Sequence, residues 1–214
     1  MASSPKSRIL TGAFLGGLVL IMIVYFWLVF PWMRNWGATA AESAMTLPGD
    51  DLVPNPSYRS TRALTINAPV EDVWPWLAQL GQDRAGFYSY TWVENLILAD
   101  IHNAWAVNPE WQVRREGERL PLTSRNYPLG LIPWKGGTLG PLIRRFEANR
   151  LIVLDGWGSF VLETPEEGKT RLIIRDPTKP MSFPVRVLWS VFFEPGHFAM
   201  ERRMMKGIKV RARA

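Results

Sequence analysis

Residues 61–95, TRALTINAPVEDVWPWLAQLGQDRAGFYSYTWVEN, decide how the rest of the chain is read. Residues 61–66 are rich in Thr, Leu and Ile and predict a strand. Ala68-Pro69 then opens a helix, because proline has its φ preset and gives up no hydrogen bond at the first helical position. Val70, Val73, Trp74, Leu77 and Leu80 recur at helical spacing and make one apolar face. Gly81 is placed to cap the C-terminus of this helix. Pro75 lies inside it, removes one backbone bond and predicts a bend. After a glycine-rich turn, Thr91 and Glu94 have capping-box spacing and predict the start of a second helix.

Toward the C-terminus the pattern changes. Residues 100–112 read as irregular, with Asn108-Pro109 as a turn signal. A short strand is expected at residues 117–122. Residues 126–140 are dense in Gly and Pro and read as a loop with a strand fragment at 131–134. Strands are then predicted at 142–146, 151–155, 157–163 and 170–175, with hairpin turns at 147–150 and 164–169. Leu172 and Ile174 share one face of the last strand; Arg171, Ile173 and Arg175 share the other. That alternation predicts an antiparallel sheet with one wet side. Residues 176–184 are a Pro-rich connection. Residues 185–193 are apolar except for Arg186 and read as a short helix that covers one end of the sheet or, with Trp189, Phe192 and Phe193, dips into a membrane interface. Pro195 starts the last helix, which runs to about residue 210. Hairpins followed by a terminal amphipathic helix predict an α+β domain with one sheet, over residues 58–214.

Before this domain the chain divides into three parts. Residues 1–8 are basic, with Lys6 and Arg8. Residues 9–32 carry no charge and are long enough to cross the ~30 Å hydrocarbon core as a helix, so residues 9–33 are read as a transmembrane helix. Trp27, Trp32 and Trp36 cluster at its end, as in an interfacial aromatic belt. Residues 34–57, rich in Ala, Ser, Pro and Asp, read as a linker. Positive charge before the span, against Arg34 alone after it, places the N-terminus in the cytoplasm and the domain on the far side. Ala38-Thr39-Ala40 would suit signal-peptidase cleavage. An uncleaved, single-pass anchor is preferred, because the apolar run exceeds a usual h-region of roughly 7–15 residues.

Composition excludes several classes. The absence of cysteine removes disulfides, thiolate catalysis and cysteine-ligated metals. A hydrophobic share of 47% with 21% charged residues is a globular balance. The net charge of +6 is local: Arg202, Arg203, Lys206, Lys209, Arg211 and Arg213 face only Glu201 in the last fourteen residues. No nucleic-acid-binding motif accompanies that tail, so nucleic acid is not expected as a partner. No nucleophile elbow, P-loop, dinucleotide fingerprint or zinc motif is present.

Five blocks carry a resemblance: LTINAPVEDVWPWL at 64–77, GQDRAGFYSYTWVENL at 81–96, DIHNA at 100–104, PEWQ at 109–112 and FFEPGHFAMERRMMKGIK at 192–209. They resemble the START and polyketide-cyclase-like superfamily known as SRPBCC, over about residues 46–210. The resemblance implies a helix-grip fold: a curved antiparallel sheet wrapped around a long C-terminal helix, with a cavity between them. It also implies an apolar ligand, since relatives bind sterols, lipids and polyketides and some catalyse cyclisation or dehydration.

The last helix holds the main candidates for chemistry. His197, Glu201, Met204 and Ile208 are spaced four, three and four residues apart and form one stripe, widened by Phe198 and Met205. If this helix closes a cavity, His197 and Glu201 line it as an acid–base pair or a polar anchor. The competing reading is a structural pair that ties the helix to the sheet or to Arg84. His102 and Glu94 are further acid–base candidates. Arg84 has the fork geometry for a carboxylate or phosphate. Tyr88, Tyr90, Trp92, Trp157, Phe198 and Met204 are candidate cavity walls, and equally candidate core. Glu194-x-x-His197 has half of a di-iron spacing, but only one copy exists; no metal or other cofactor is expected.

Three functions fit these residues. The first is a membrane-anchored domain that binds a hydrophobic or lipid-like small molecule. The second is a cyclase or dehydratase using His197, Glu201, Glu94 or His102. The third is an accessory domain whose cavity is filled by its own side chains. Oligomeric state is not set by the sequence.

Overall fold

A computed structural model describes residues 5–124, 127 and 139–213. The strand fragment expected at 131–134 and residues 1–4 of the basic N-terminus lie outside them. Helix α1 (Pro5–Val24) continues through a π-helical turn at Tyr25–Val29 into α2 (Phe30–Arg34). This helix, from Leu10 to Arg34, is long and apolar enough to cross a membrane, and its side chains up to Val24 are exposed. A short helix α3 (Ala40–Ala44) precedes strand β1 (Tyr58–Ile66). Helices α4 (Val70–Ala78) and α5 (Thr91–Leu96) follow. Strands β2 (Ile143–Glu147), β3 (Leu151–Leu154), β4 (Gly158–Glu166) and β5 (Lys169–Thr178) complete the sheet. Helix α6 (Phe183–Leu188) passes through a second π-helical turn, Trp189–Phe193, into the long C-terminal helix α7 (Glu194–Arg211).

The fold is α+β. The five strands are antiparallel in the order β1-β5-β4-β3-β2, so the first strand pairs with the last. Tyr58 faces Thr178 and Ile66 faces Thr170 along the whole of β1. The two-residue period sends Leu64, Ile66, Ile152, Leu154, Phe160, Leu162, Leu172 and Ile174 to one face, where they meet α4 and α7. Val73, Trp74 and Leu77 of α4 and Met204, Met205 and Ile208 of α7 fill that layer. Each fully buried aliphatic or aromatic side chain here stabilises by about 1.5–3 kcal/mol relative to exposure. Gly207 lets α7 approach closely: a Cβ there would stand 2.5 Å from the Tyr88 carbonyl oxygen.

The other face was expected to be wet, and it is covered. Residues 38–53, read as part of a linker, lie along it. Leu47, with Ala38 and Met45 beside it, packs on Ala63, Leu151, Val153, Val161 and Ile173. Glu42 takes the Arg171 guanidinium at 2.7 and 2.8 Å, and Asp50 takes buried Arg175 at 3.0 Å. Arg175 also donates to the carbonyls of Glu42 and Met45. Hydrogen bonding from Arg171 holds the Glu42 carboxyl at about 2. Alternation in β5 is a correct reading of the strand; the arginines on its outer face meet acids from a segment more than a hundred residues away.

Local signals differ from expectation at helix ends. Pro69 is the N-cap residue, with extended ψ, rather than the first helical residue of α4. Gln79 caps the other end, and Gly81, at φ 132°, instead pairs with Gly86 across a tight turn. Thr91 lies inside α5 with no side-chain cap at its N-terminus, whereas Thr39 and Glu42 form a capping box at the start of α3. The strand expected at 117–122 is a single bridge, Arg119 to Leu142.

Candidate functional site

Arg62 is the buried centre of the site. It points from β1 to the same face as Leu64 and Ile66, and its cross-strand partner is Ile174. Its Nη1 donates to Glu201 Oε1 at 2.9 Å, its Nη2 donates to Glu194 Oε1, and its Nε donates to the Met33 carbonyl at 2.9 Å. Its guanidinium lies over the Phe198 ring, 5.3 Å from the centroid. Burial opposes the charge on Arg62, but Glu201 and Glu194 outweigh it and hold the pKa above its ordinary value. Glu194 also accepts from Tyr58 Oη and Ser60 Oγ. One arginine therefore joins the end of α2, strand β1 and two points on α7 that lie about two turns apart.

His197 stands between this buried cluster and a cavity. The Trp157 indole donates to its Nε2 at 3.2 Å, which leaves the proton on Nδ1. Nδ1 faces Asp176 Oδ2 at 3.7 Å, and Nε2 is 3.8 Å from Glu201 Oε2. Neither Nδ1 nor Glu201 Oε2 has a hydrogen-bond partner among the described residues. The imidazole stacks on Phe193, with ring planes 18° apart. Burial, reinforced by repulsion from Glu201 and Glu194, pushes the Asp176 carboxyl up to about 6, although His197 and Arg62 draw it down. A carboxyl that titrates there can exchange a proton near neutral pH.

The cavity has a volume of about 420 Å³. It lies at the N-terminal end of α7 and the C-terminal end of β5, rather than along the whole helix–sheet interface. Leu139, Pro141, Met181, Trp189 and Phe193 give it apolar walls; Trp157, Asp176 and His197 supply polar groups, and Asp155 and Lys179 also line it. Farther along α7, Met204, Met205 and Ile208 close the interface with the sheet.

The expected site residues are scattered by the fold. His197 and Trp157 meet at the cavity, with Glu201 behind them. Glu201 is paired with Arg62 and not with Arg84. Arg84 instead donates to the carbonyls of Trp111 and Val113 and braces a loop. Tyr88 is core: its hydroxyl donates to the Trp76 carbonyl and accepts from Gln79, and burial raises its pKa. Phe198 packs between Phe30, Tyr58 and Trp36, and Met204 is in the main core. Tyr90 and Trp92 are exposed. The His102 side chain is 83% exposed beside Asp100. Glu94 sits on α5, away from the cavity-lining residues, and burial raises its carboxyl to about 7. No group of three or more His, Asp or Glu among the described residues is disposed to hold a metal.

Sequence reading missed Arg62 and Asp176. A signal for Arg62 exists: in TRALTI the arginine shares a face with Leu64 and Ile66, which places a charge on the buried side of a strand. The sequence pattern assigns Asp176 to the start of the Pro-rich connection, but β5 runs on to Thr178; the signal is there too, since Asp176 follows Leu172 and Ile174 on the inward face of the strand. No protein-family model matches the chain, and no curated protein matches it.

Proposed function

We propose that this chain is a membrane-anchored domain that binds a hydrophobic or amphipathic, lipid-like small molecule, with His197 and Asp176 at the polar end of the ligand. The observation that carries the reading is the 420 Å³ cavity, whose walls are mostly apolar with a few polar groups among them. Its volume is within the range of small-molecule sites, roughly 300–1,000 Å³. The assignment to the SRPBCC superfamily and its helix-grip fold belongs to the same proposal. An antiparallel sheet crossed by a long C-terminal helix is what supports it. The helix from Leu10 to Arg34 would be the anchor, with the N-terminus cytoplasmic and the domain outside.

A second reading has its own observation. Asp176, His197 and Glu201 form a chain of titratable groups that ends at the cavity, the arrangement needed for cyclase- or dehydratase-type proton transfer. In this reading His197 holds its proton at Nδ1 toward Asp176, and the Asp176 carboxyl exchanges a proton with the ligand.

Native mass spectrometry of the full chain, released gently from membranes of its own host, tests the first reading. One bound lipid-like molecule per chain is expected, and Met181→Trp, which fills the cavity, should remove it. A wild-type protein that carries no adduct would overturn the proposal.

A further inference from the structure

Residues 183–193 present an apolar ridge to the outside. Phe183, Val185, Leu188 and Phe192 are 68%, 50%, 58% and 76% exposed. A surface facing water rarely gathers four such side chains on eleven residues. Arg186 is the one charge in this run, and its guanidinium lies over the Phe183 ring.

The ridge is fastened to the apolar N-terminal helix. Tyr25 donates its hydroxyl proton to the Ser190 carbonyl. Tyr25 and Phe26 pack against the same cluster as Trp189. Phe26, Phe30 and Arg34 share a groove with Phe183, Arg186 and Val187. Depth follows from the helix rise. A ~30 Å hydrocarbon core takes about 20 residues at ~1.5 Å each. Counted from Leu10, that length ends near Val29, just before Phe30 and Met33 enter the core of the domain. Tyr25 is then about 6 Å inside that boundary, and Ser190, bonded to its hydroxyl, lies within one tyrosine side chain of that level.

We infer that the ridge of residues 183–193 docks into the acyl–headgroup boundary of the bilayer leaflet through which the N-terminal helix emerges. The inference rests on the reading of Leu10–Arg34 as a membrane span. Arg186 would extend along Phe183 toward the headgroups, as long cationic side chains do at interfaces. Trp189 and Phe193 belong to the same helical run and also wall the cavity. The cavity would therefore open at the membrane surface, and its ligand would enter from the leaflet rather than from water.

The absence of cysteine makes the test direct. Single-cysteine variants Leu18→Cys, Phe183→Cys, Leu188→Cys, Phe192→Cys and Glu167→Cys of the full chain are labelled with an environment-sensitive fluorophore. They are placed in phosphatidylcholine–phosphatidylglycerol vesicles containing lipids with an acyl-chain nitroxide near the headgroup and, to reach the depth of Leu18, lipids with one near the acyl-chain end. Leu18 reports the span; Glu167, at the far end of β5 from the ridge, reports water. Strong quenching at Leu18 and at the three ridge positions, with none at Glu167, is the expected result. Quenching at Leu18 with ridge positions as unquenched as Glu167 overturns the ridge proposal and leaves the anchor standing. No quenching at Leu18 overturns the anchor reading and the ridge with it. Oxidative cross-linking of unquenched ridge cysteines between chains would identify a second copy as the occupant and also overturn the proposal.

Discussion

Arg62 Nη1 and Glu201 Oε1 meet at 2.9 Å, both fully buried, 139 residues apart in the chain. This pair, with Glu194 on the other side of the guanidinium, is the polar joint between sheet, C-terminal helix and the end of the apolar N-terminal helix. Removing one partner should be worse than removing the whole cluster. Arg62→Ala leaves two buried carboxylates unpaired and should destabilise by about 3–5 kcal/mol. Arg62→Met combined with Glu194→Gln and Glu201→Gln should cost clearly less. Thermal unfolding of the full chain in detergent compares them; equal losses would show that unpaired charge is not what makes the single substitution costly.

Asp176 gives stability a pH dependence of definite sign. Its carboxyl titrates at about 6 in the folded chain, against an ordinary value of 3.8. The folded state therefore binds more protons between these values, and stability falls as pH rises through them, by about 3 kcal/mol at most. Above this window the ionised Asp176 is a standing cost. Asp176→Asn should flatten the profile there and raise the melting temperature at neutral pH. A steeper profile in the variant would refute the assignment.

Glu42 acts in the opposite direction. Its carboxyl titrates at about 2 when held by Arg171, below its ordinary 4.5, so its contribution is present above that value and fades as pH falls toward 2. Glu42→Gln should cost about 1.5–3 kcal/mol, typical of a charged hydrogen bond. Amide exchange should quicken in residues 38–53 before it quickens in β3 and β4. Unchanged protection of 38–53 would mean that Leu47 and its neighbours hold the segment without the ion pair.

Gly207 leaves no room for a side chain. Gly207→Ala brings a methyl group within 2.5 Å of the Tyr88 carbonyl oxygen and should destabilise by about 1–3 kcal/mol. Ala at Gly196, where nothing lies within 4 Å, should be tolerated or slightly stabilising. Chemical denaturation of the two variants side by side decides this.

His197 separates the two functional readings. Under the binding reading, His197→Ala should keep the copurified ligand with less than about a tenfold loss of affinity, roughly one hydrogen bond. Under the catalytic reading the variant should hold unconverted ligand while the wild type holds a product. Extraction and mass identification of the ligand from both proteins distinguishes them.

Much of the scaffold was legible from local pattern. The four C-terminal strands, the two hairpins between them and the terminal helix were placed to within a few residues, because alternation and helical spacing are properties of neighbouring positions. The capping box at Thr91 failed where spacing alone was used. A Thr–Glu spacing is only a cap if the backbone turns at the threonine, and it turns at Thr39 instead. Of the candidate site, His197 and Glu201 were legible because an inward stripe on an amphipathic helix exposes any polar residue as an exception. Tyr88, Phe198 and Met204 could not be told from cavity walls, since aromatic and thioether side chains line cores and cavities alike.

An apolar helix at the N-terminus, an antiparallel sheet and a terminal amphipathic helix are all written in local pattern. Each follows from the period of hydrophobic residues along a short stretch of chain. Which groups carry buried charge, and where the free volume lies, depends on how distant stretches pack together. Arg62 finds Glu194 and Glu201 through a strand and a helix more than 130 residues apart. Arg171 and Arg175 find Glu42 and Asp50 across the outer face of the sheet. Asp176 and His197 face each other because β5 ends beside the first turn of α7. A buried charge is tolerated only beside its partner, and partnership across that distance is a property of the packed chain.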